Sequence, residues 1–172
     1  MFILITGENN SGKSACAEKI AGRIGGRMVY AATMIPCGGE GRARVEKHRR
    51  QRAGMGFVTV ECPRRLRGVD ADEKTLVLLE DLSNLLANNL FDGESPASAA
   101  SVFDDVKDLQ ARCGTLIAVT IDGLSPEGYE EKTRNYIQSL NWLNDQLARE
   151  ADALIEMRGG SACLRKGECP WF

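Results

Sequence analysis

Residues 7–14 read Gly7-Glu8-Asn9-Asn10-Ser11-Gly12-Lys13-Ser14 and match the phosphate-cradling pattern G-x-x-x-x-G-K-[ST] at every fixed position. The flanks give the motif its meaning. Phe2-Ile3-Leu4-Ile5-Thr6 is a short apolar run that predicts a buried strand. Ala15 to Ile24 predicts a helix, with Ala17, Ile20, Ala21 and Ile24 spaced to lie on a sheet. Strand, glycine loop and helix are the context that separates this motif from an ordinary glycine turn. Gly7 and Gly12 permit a tight turn and close approach to phosphate oxygens. The loop amides and the positive end of the helix face the anion. Lys13 supplies a charge to the β- and γ-phosphates, and the Ser14 hydroxyl is a ligand for Mg²⁺. The segment therefore predicts binding of a nucleoside di- or triphosphate.

Further along, strand-like and helix-like segments alternate. Met28-Val29-Tyr30-Ala31-Ala32 and Phe57-Val58-Thr59-Val60-Glu61 read as strands, the second stopped by Pro63. Between them come a loop over Met34 to Gly39 and a highly charged helix over Glu40 to Arg52. Arg64 to Asp70 suggests a short helical turn. Thr75-Leu76-Val77-Leu78-Leu79 and Thr115-Leu116-Ile117-Ala118-Val119-Thr120 are continuous apolar runs, as central parallel strands require. Leu82 to Leu90, Ala97 to Arg112 and Tyr129 to Glu150 read as helices, separated by loops over Gly93 to Pro96 and Gly123 to Gly128. Ala153-Leu154-Ile155-Glu156-Met157 is a late strand, and Ala162-Cys163-Leu164 can add one more. The expectation is one α/β domain over residues 1–172. It is a P-loop NTPase-like nucleotide-binding domain with a mainly parallel twisted sheet and helices on both faces. Ligands of such sheets sit at the carboxyl ends of the strands, where Gly7, Thr33, Glu80 and Asp122 fall.

Composition excludes several classes. The formal net charge of −2 suggests neither a nucleic-acid nor a membrane partner. No apolar run is long enough to span a bilayer, and no secretory signal opens the sequence as given. Cys16, Cys37, Cys62, Cys113, Cys163 and Cys169 are scattered, without metal-ligand spacing. They read as reduced thiols of a cytoplasmic protein.

Three further constellations carry chemistry. Glu80 and Asp81 close the apolar run that ends at Leu79. A carboxylate there can hold Mg²⁺ or act in catalysis, or the acids can cap the helix starting at Leu82, with one residue in each role. His48, the only histidine, shares a helix face with Arg44 and Arg52. Its imidazole can attack phosphorus while the guanidinium groups hold phosphate charge, or the segment can be a solvated charged face. Asp122 can position a hydroxyl or cap the next turn. Arg134, Asn141 and Asn144 read as the polar outer face of the long helix.

In this order the segments resemble the adenosylcobinamide kinase/adenosylcobinamide-phosphate guanylyltransferase family of cobalamin biosynthesis. The likeness rests on Ile3 through Ser14, Val29-Tyr30-Ala31-Ala32-Thr33, Arg44-Val45 with His48, Glu61, Leu78-Leu79-Glu80, Asn89-Leu90, and Asn144 through Leu147-Ala148 with Ala151-Asp152. It implies two activities. A nucleoside triphosphate phosphorylates the aminopropanol hydroxyl of adenosylcobinamide. GMP then passes from GTP to a histidine, which falls on His48, and on to the corrinoid phosphate. The resemblance implies catalytic roles for His48, Lys13 and Glu80. It implies nucleotide binding by Gly7 through Ser14, including Glu8, Asn9, Asn10 and Ser11, and by Thr33, Arg44, Arg52 and Glu61. Ser14, Glu80 and Asp81 are the expected Mg²⁺ ligands. A homotrimer is implied as well.

The chain departs from the family at Thr120-Ile121-Asp122-Gly123-Leu124-Ser125-Pro126, where relatives usually carry Thr-Asn-Glu-Val-Gly, and at Gly39-Glu40-Gly41. These changes spare the phosphate loop and fall on acceptor recognition. The alternatives are a P-loop kinase acting on another small-molecule alcohol, or a nucleotide-binding protein that has lost catalysis. No [NT]-K-x-D guanine-reading motif is present, so GTP rather than ATP rests on the resemblance.

Overall fold

The computed structural model describes residues 1–36, 38–91 and 98–172, and within the second helix the side chains of Glu40, Arg42, Arg44, Lys47, His48 and Gln51 also lie outside the description. In chain order the elements are β1 (Phe2–Gly7), α1 (Lys13–Ile24), β2 (Arg27–Ala32), α2 (Gly38–Arg52), β3 (Phe57–Glu61) and β4 (Thr75–Glu80). There follow α3 (Leu82–Phe91), α4 (Ala99–Arg112), β5 (Thr115–Val119), α5 (Glu131–Glu150), β6 (Ala153–Arg158) and β7 (Ser161–Lys166). The strands form one seven-stranded sheet in the order β3-β2-β4-β5-β1-β6-β7. Every pairing is parallel except the final β6–β7 hairpin. The protein is thus a P-loop NTPase-like α/β fold.

Alternation along each strand assigns the two faces. Phe2, Leu4, Val77, Leu79, Leu116 and Ala118 point to one side, under Leu82, Leu85 and Leu86 of α3, Val106 of α4 and Leu143 of α5. Ile3, Ile5, Tyr30, Leu78, Ile117 and Val119 point to the other, against Ala17, Ile20 and Ala21 of α1. Strands covered on both faces have no solvent side, which explains why β1 reads as an unbroken apolar run. Asp152 locks the start of β1: its carboxylate accepts the Phe2 amide at 2.6 Å while its own amide donates to the Phe2 carbonyl at 2.8 Å.

Several boundaries differ from the sequence expectation. Arg64 to Asp70 forms turns, not a helical turn. It is tied down from outside by the Asp105 carboxylate on the Leu66 amide and by Arg112 on the Val69 carbonyl. Buried Leu66 and Val69 hold it to the core. The fourth helix starts at Ala99 because the Ser98 hydroxyl caps it, accepting the Ser101 amide at 3.2 Å. The expected loop over Gly93 to Pro96 lies outside the described residues. Among those described, no helix is long and apolar enough to cross a membrane. Cys16, Cys62, Cys113, Cys163 and Cys169 form no disulfide, and Cys37 lies outside the described residues.

Candidate functional site

At the end of β1 the backbone turns away beneath β6. Gly7 sits at φ +146°, and a Cβ there would lie 2.4 Å from the Met157 carbonyl oxygen, so only glycine fits. Gly12, at φ +93°, opens α1 without any side-chain cap. The first amides of that helix are therefore left for a ligand. The Lys13 ammonium folds back to donate to the Glu8 carbonyl at 2.5 Å. Burial lowers the Lys13 pKa, while Asp81, Asp122 and Glu80 act against that shift. A desolvated ammonium on the wall of a cleft is well suited to meet a phosphate.

The strand-end acids divide their roles. The Ser14 hydroxyl donates to Glu80 Oε1. One oxygen of the Asp81 carboxylate accepts the Ser83 hydroxyl at 2.6 Å and the Asn84 amide at 2.7 Å, and so caps α3, while the residue also lines the cavity. Burial raises the Asp81 pKa, opposed by those two bonds. The Glu80–Asp81 peptide is cis. Ser14 and Glu80 offer hard oxygen donors at the phosphate end, as Mg²⁺ requires. Among the described residues no cluster of three or more His, Cys, Asp or Glu is arranged to hold a metal. Asp81, expected as a metal ligand or as the cap of the helix, uses one carboxylate oxygen on the helix start.

Thr33, expected to bind nucleotide, lies outside the cavity lining. It is wholly buried, and its hydroxyl is used twice: it accepts the Asp81 amide at 2.7 Å and donates to the Asp81 carbonyl at 2.8 Å. It fixes the Glu80–Asp81 segment from behind the cavity wall. Asn9, Asn10, Ser11, Gly12, Lys13 and Ser14 do line the cavity, which measures about 780 Å³. Gly7 lies outside the lining, and Glu8 contributes only its carbonyl to Lys13.

The far wall is built by β2, β3 and the end of α2. Arg49 and Glu61 pair at 3.2 Å, and both line the cavity. Arg52 is buried, with its guanidinium carbon 3.3 Å from the centre of the Tyr30 ring. Its Nη1 has no hydrogen-bond partner among the described residues. The α2 backbone carries Arg44 and His48, but their side chains lie outside the description, so His48 is located only as the residue before Arg49 and one turn before Arg52.

On the opposite side, Asp122 donates its amide to the Gly7 carbonyl at 3.3 Å, beside the phosphate loop. The segment carrying it is fixed by Asn144. This side chain is buried on α5, accepts the Thr120 hydroxyl at 2.8 Å and donates to the Ile121 carbonyl at 2.8 Å. Asn144 is therefore not part of a polar outer face, whereas Asn141 and Arg134 remain more exposed.

Sequence reasoning missed Tyr30, Glu18 and Arg49 at the site. One signal was available: Glu18 lies four residues after Ser14, on the same helix face.

Residues 3–164 match the family described as cobinamide kinase / cobinamide phosphate guanyltransferase. The chain belongs to that family. Similar curated proteins include the bifunctional adenosylcobalamin biosynthesis protein CobP of Pseudomonas aeruginosa, 29% identical over 175 residues, covering 96% of this chain and 97% of that one. The bifunctional adenosylcobalamin biosynthesis protein CobU of Escherichia coli is 29% identical over 171 residues, covering 88% and 92%. Among solved structures, an ATP synthase subunit, NeqB, of Nanoarchaeum equitans aligns with TM-score 0.56 at 14% identity over 92% of this chain and 47% of that one. A Pyrococcus horikoshii protein aligns with TM-score 0.53 at 10% identity over 96% and 86%. At such identities the structural likeness concerns the fold alone.

Proposed function

We propose that this family member is a bifunctional enzyme, an adenosylcobinamide kinase and adenosylcobinamide-phosphate guanylyltransferase. The reading is carried by a phosphate loop whose Ser14 hydroxyl meets Glu80 at the mouth of a cavity large enough for a nucleotide. Family membership over residues 3–164 supports it.

Lys13 and the uncapped amides of α1 hold the β- and γ-phosphates. Ser14 and Glu80 would hold Mg²⁺, which when bound would neutralise charge on the phosphates. In the kinase step the acceptor hydroxyl oxygen takes the γ-phosphoryl group, and the nucleoside diphosphate leaves. In the second activity His48 attacks the α-phosphorus of GTP and pyrophosphate departs. A phosphate oxygen of the acceptor then displaces the histidine, carrying GMP away. Arg52 and Glu61, which line the cavity, contact the nucleotide, and Arg44 is assigned the same role from the family resemblance. The acceptor is a corrinoid alcohol, and the changed segment from Thr120 to Pro126 bears on how it is held. The enzyme works as a cytoplasmic homotrimer, which sedimentation velocity would read.

The test is incubation with α-labelled GTP and magnesium. The expected result is protein-bound label that is acid-labile and alkali-stable, and absent in His48→Ala. Wild-type protein without label, or label retained by the variant, would overturn guanylyl transfer through His48. ADP or GDP formation that depends on a corrinoid alcohol reads the kinase step separately.

A further inference from the structure

Beneath the Ser14–Glu80 contact lies a buried polar group that the reaction above does not use. Tyr30 and Glu80 sit on adjacent parallel strands, where the register pairs Tyr30 with Leu78 and Ala32 with Glu80. Side chains two positions apart on a strand share a face, so Tyr30 and Glu80 project from the same side of the sheet, toward α1. Both line the cavity. Tyr30 is buried, and three contacts hold its ring. The edge of Phe57 packs against it with centroids 6.1 Å apart, and the Arg52 guanidinium covers it at 3.3 Å. Glu18, one turn below Ser14 on α1, is buried nearby. The ring has little room to turn.

We propose that Tyr30 is a positioning residue whose hydroxyl holds the Glu80 carboxylate in the orientation that faces Ser14, and thereby sets the affinity for Mg²⁺. The inference rests on the functional reading above, in which Ser14 and Glu80 hold the ion. A glutamate has three side-chain torsions, and ordering them costs rotamer entropy. A second anchor on the carboxylate removes that cost from the ion-binding event. The Tyr30 hydroxyl is placed for this: it projects from the same face as Glu80, on the neighbouring strand, and is in hydrogen-bonding contact with the Glu80 carboxylate. Arg52 completes the arrangement by fixing the ring plane, and Phe57 fixes its edge. Outer residues that orient a metal-holding carboxylate typically change metal affinity 10–100-fold when removed.

The experiment measures nucleotide binding by calorimetry across a magnesium titration, for wild type, Tyr30→Phe, Glu80→Gln and the double variant. Tyr30→Phe keeps the ring and its stack with Arg52, so it isolates the hydroxyl. Tyr129→Phe, at an exposed tyrosine, is the control. The expected result is a half-saturating magnesium concentration raised about tenfold or more in Tyr30→Phe. Nucleotide affinity without magnesium should stay within about twofold of wild type, and Tyr30→Phe should add nothing further to Glu80→Gln. A magnesium dependence in Tyr30→Phe equal to wild type would overturn the proposal alone. So would an equal loss of affinity with and without magnesium, or additive effects in the double variant. A wild type whose nucleotide binding ignores magnesium would overturn the functional reading, and the proposal with it.

Discussion

Replacing Thr33 with valine removes one hydroxyl and keeps the shape. That hydroxyl serves both backbone groups of Asp81, at 2.7 and 2.8 Å, in a residue with no solvent exposure. The variant therefore leaves the Asp81 amide without a partner and without water, while the Asp81 carbonyl keeps the Leu85 amide at 3.1 Å. A stranded buried amide costs about 1–3 kcal/mol, which is the expected loss. Set against a typical total of about 5–15 kcal/mol, this is a sizeable fraction. For a chain of this size it lowers the melting temperature by roughly 2–12 °C. The same segment carries Glu80, so magnesium-dependent nucleotide binding should weaken as well. Urea unfolding with a fixed slope reads the stability, and calorimetry reads the binding. Thr33→Ser is the control: it keeps the hydroxyl, loses one methyl, and should cost about 1 kcal/mol. If Thr33→Val unfolds within about 0.5 kcal/mol of wild type, or Thr33→Ser is the worse of the two, the reasoning fails.

Gly7→Ala places a methyl 2.4 Å from the Met157 carbonyl at φ +146°, and should cost about 2–6 kcal/mol and abolish nucleotide binding. Gly68→Ala meets open space and should change little; equal behaviour of the two by thermal melting would contradict the argument. Glu18 has its pKa raised, by burial first and then by Glu80, with Arg52 opposing. A carboxyl that binds its proton more tightly when folded destabilises the ionised protein above its folded pKa, and that cost vanishes below the unfolded pKa near ~4.3. Glu18→Gln should therefore melt a few degrees higher than wild type at about pH 8 and match it near about pH 4. A variant less stable at the higher pH would reverse the sign. Asn144→Ala removes two hydrogen bonds and leaves the Thr120 hydroxyl and the Ile121 carbonyl only their mutual contact at 3.4 Å, and should cost about 1–2 kcal/mol by urea unfolding. A neutral result would return Asn144 to the solvated face.

The sheet and the phosphate loop were legible because their signals are local. β1, β4 and β5 are apolar runs of strand length, and Gly7 through Ser14 sits between a strand and a helix. The turns at Arg64 to Asp70 were read as helical because nothing local distinguishes them; their geometry is imposed by Asp105 and Arg112 from another helix. At the site, Lys13, Ser14 and Glu80 could be placed from pattern alone. Thr33 and Asp81 were seen at a strand end but given ligand roles. Whether a polar side chain at such an end faces a ligand or its neighbour's backbone depends on which partner reaches it first, and that is a tertiary fact. Asn144 lay at a helical spacing compatible with either face. The Thr120 hydroxyl and the Ile121 carbonyl, more than twenty residues away in sequence, decide its direction. Tyr30 was hidden inside a strand that reads as core.

Lys13→Met offers the most direct test. The substitution keeps length and volume, and burial already disfavours the lysine charge, so the variant should fold at least as well as wild type. Calorimetry with GTP and with ATP at millimolar magnesium should find heat of binding in wild type and an affinity roughly 10–100-fold weaker in Lys13→Met, as loss of one charge-assisted contact implies. Absence of heat with either nucleotide in wild type, or equal affinity in the variant, would contradict the account.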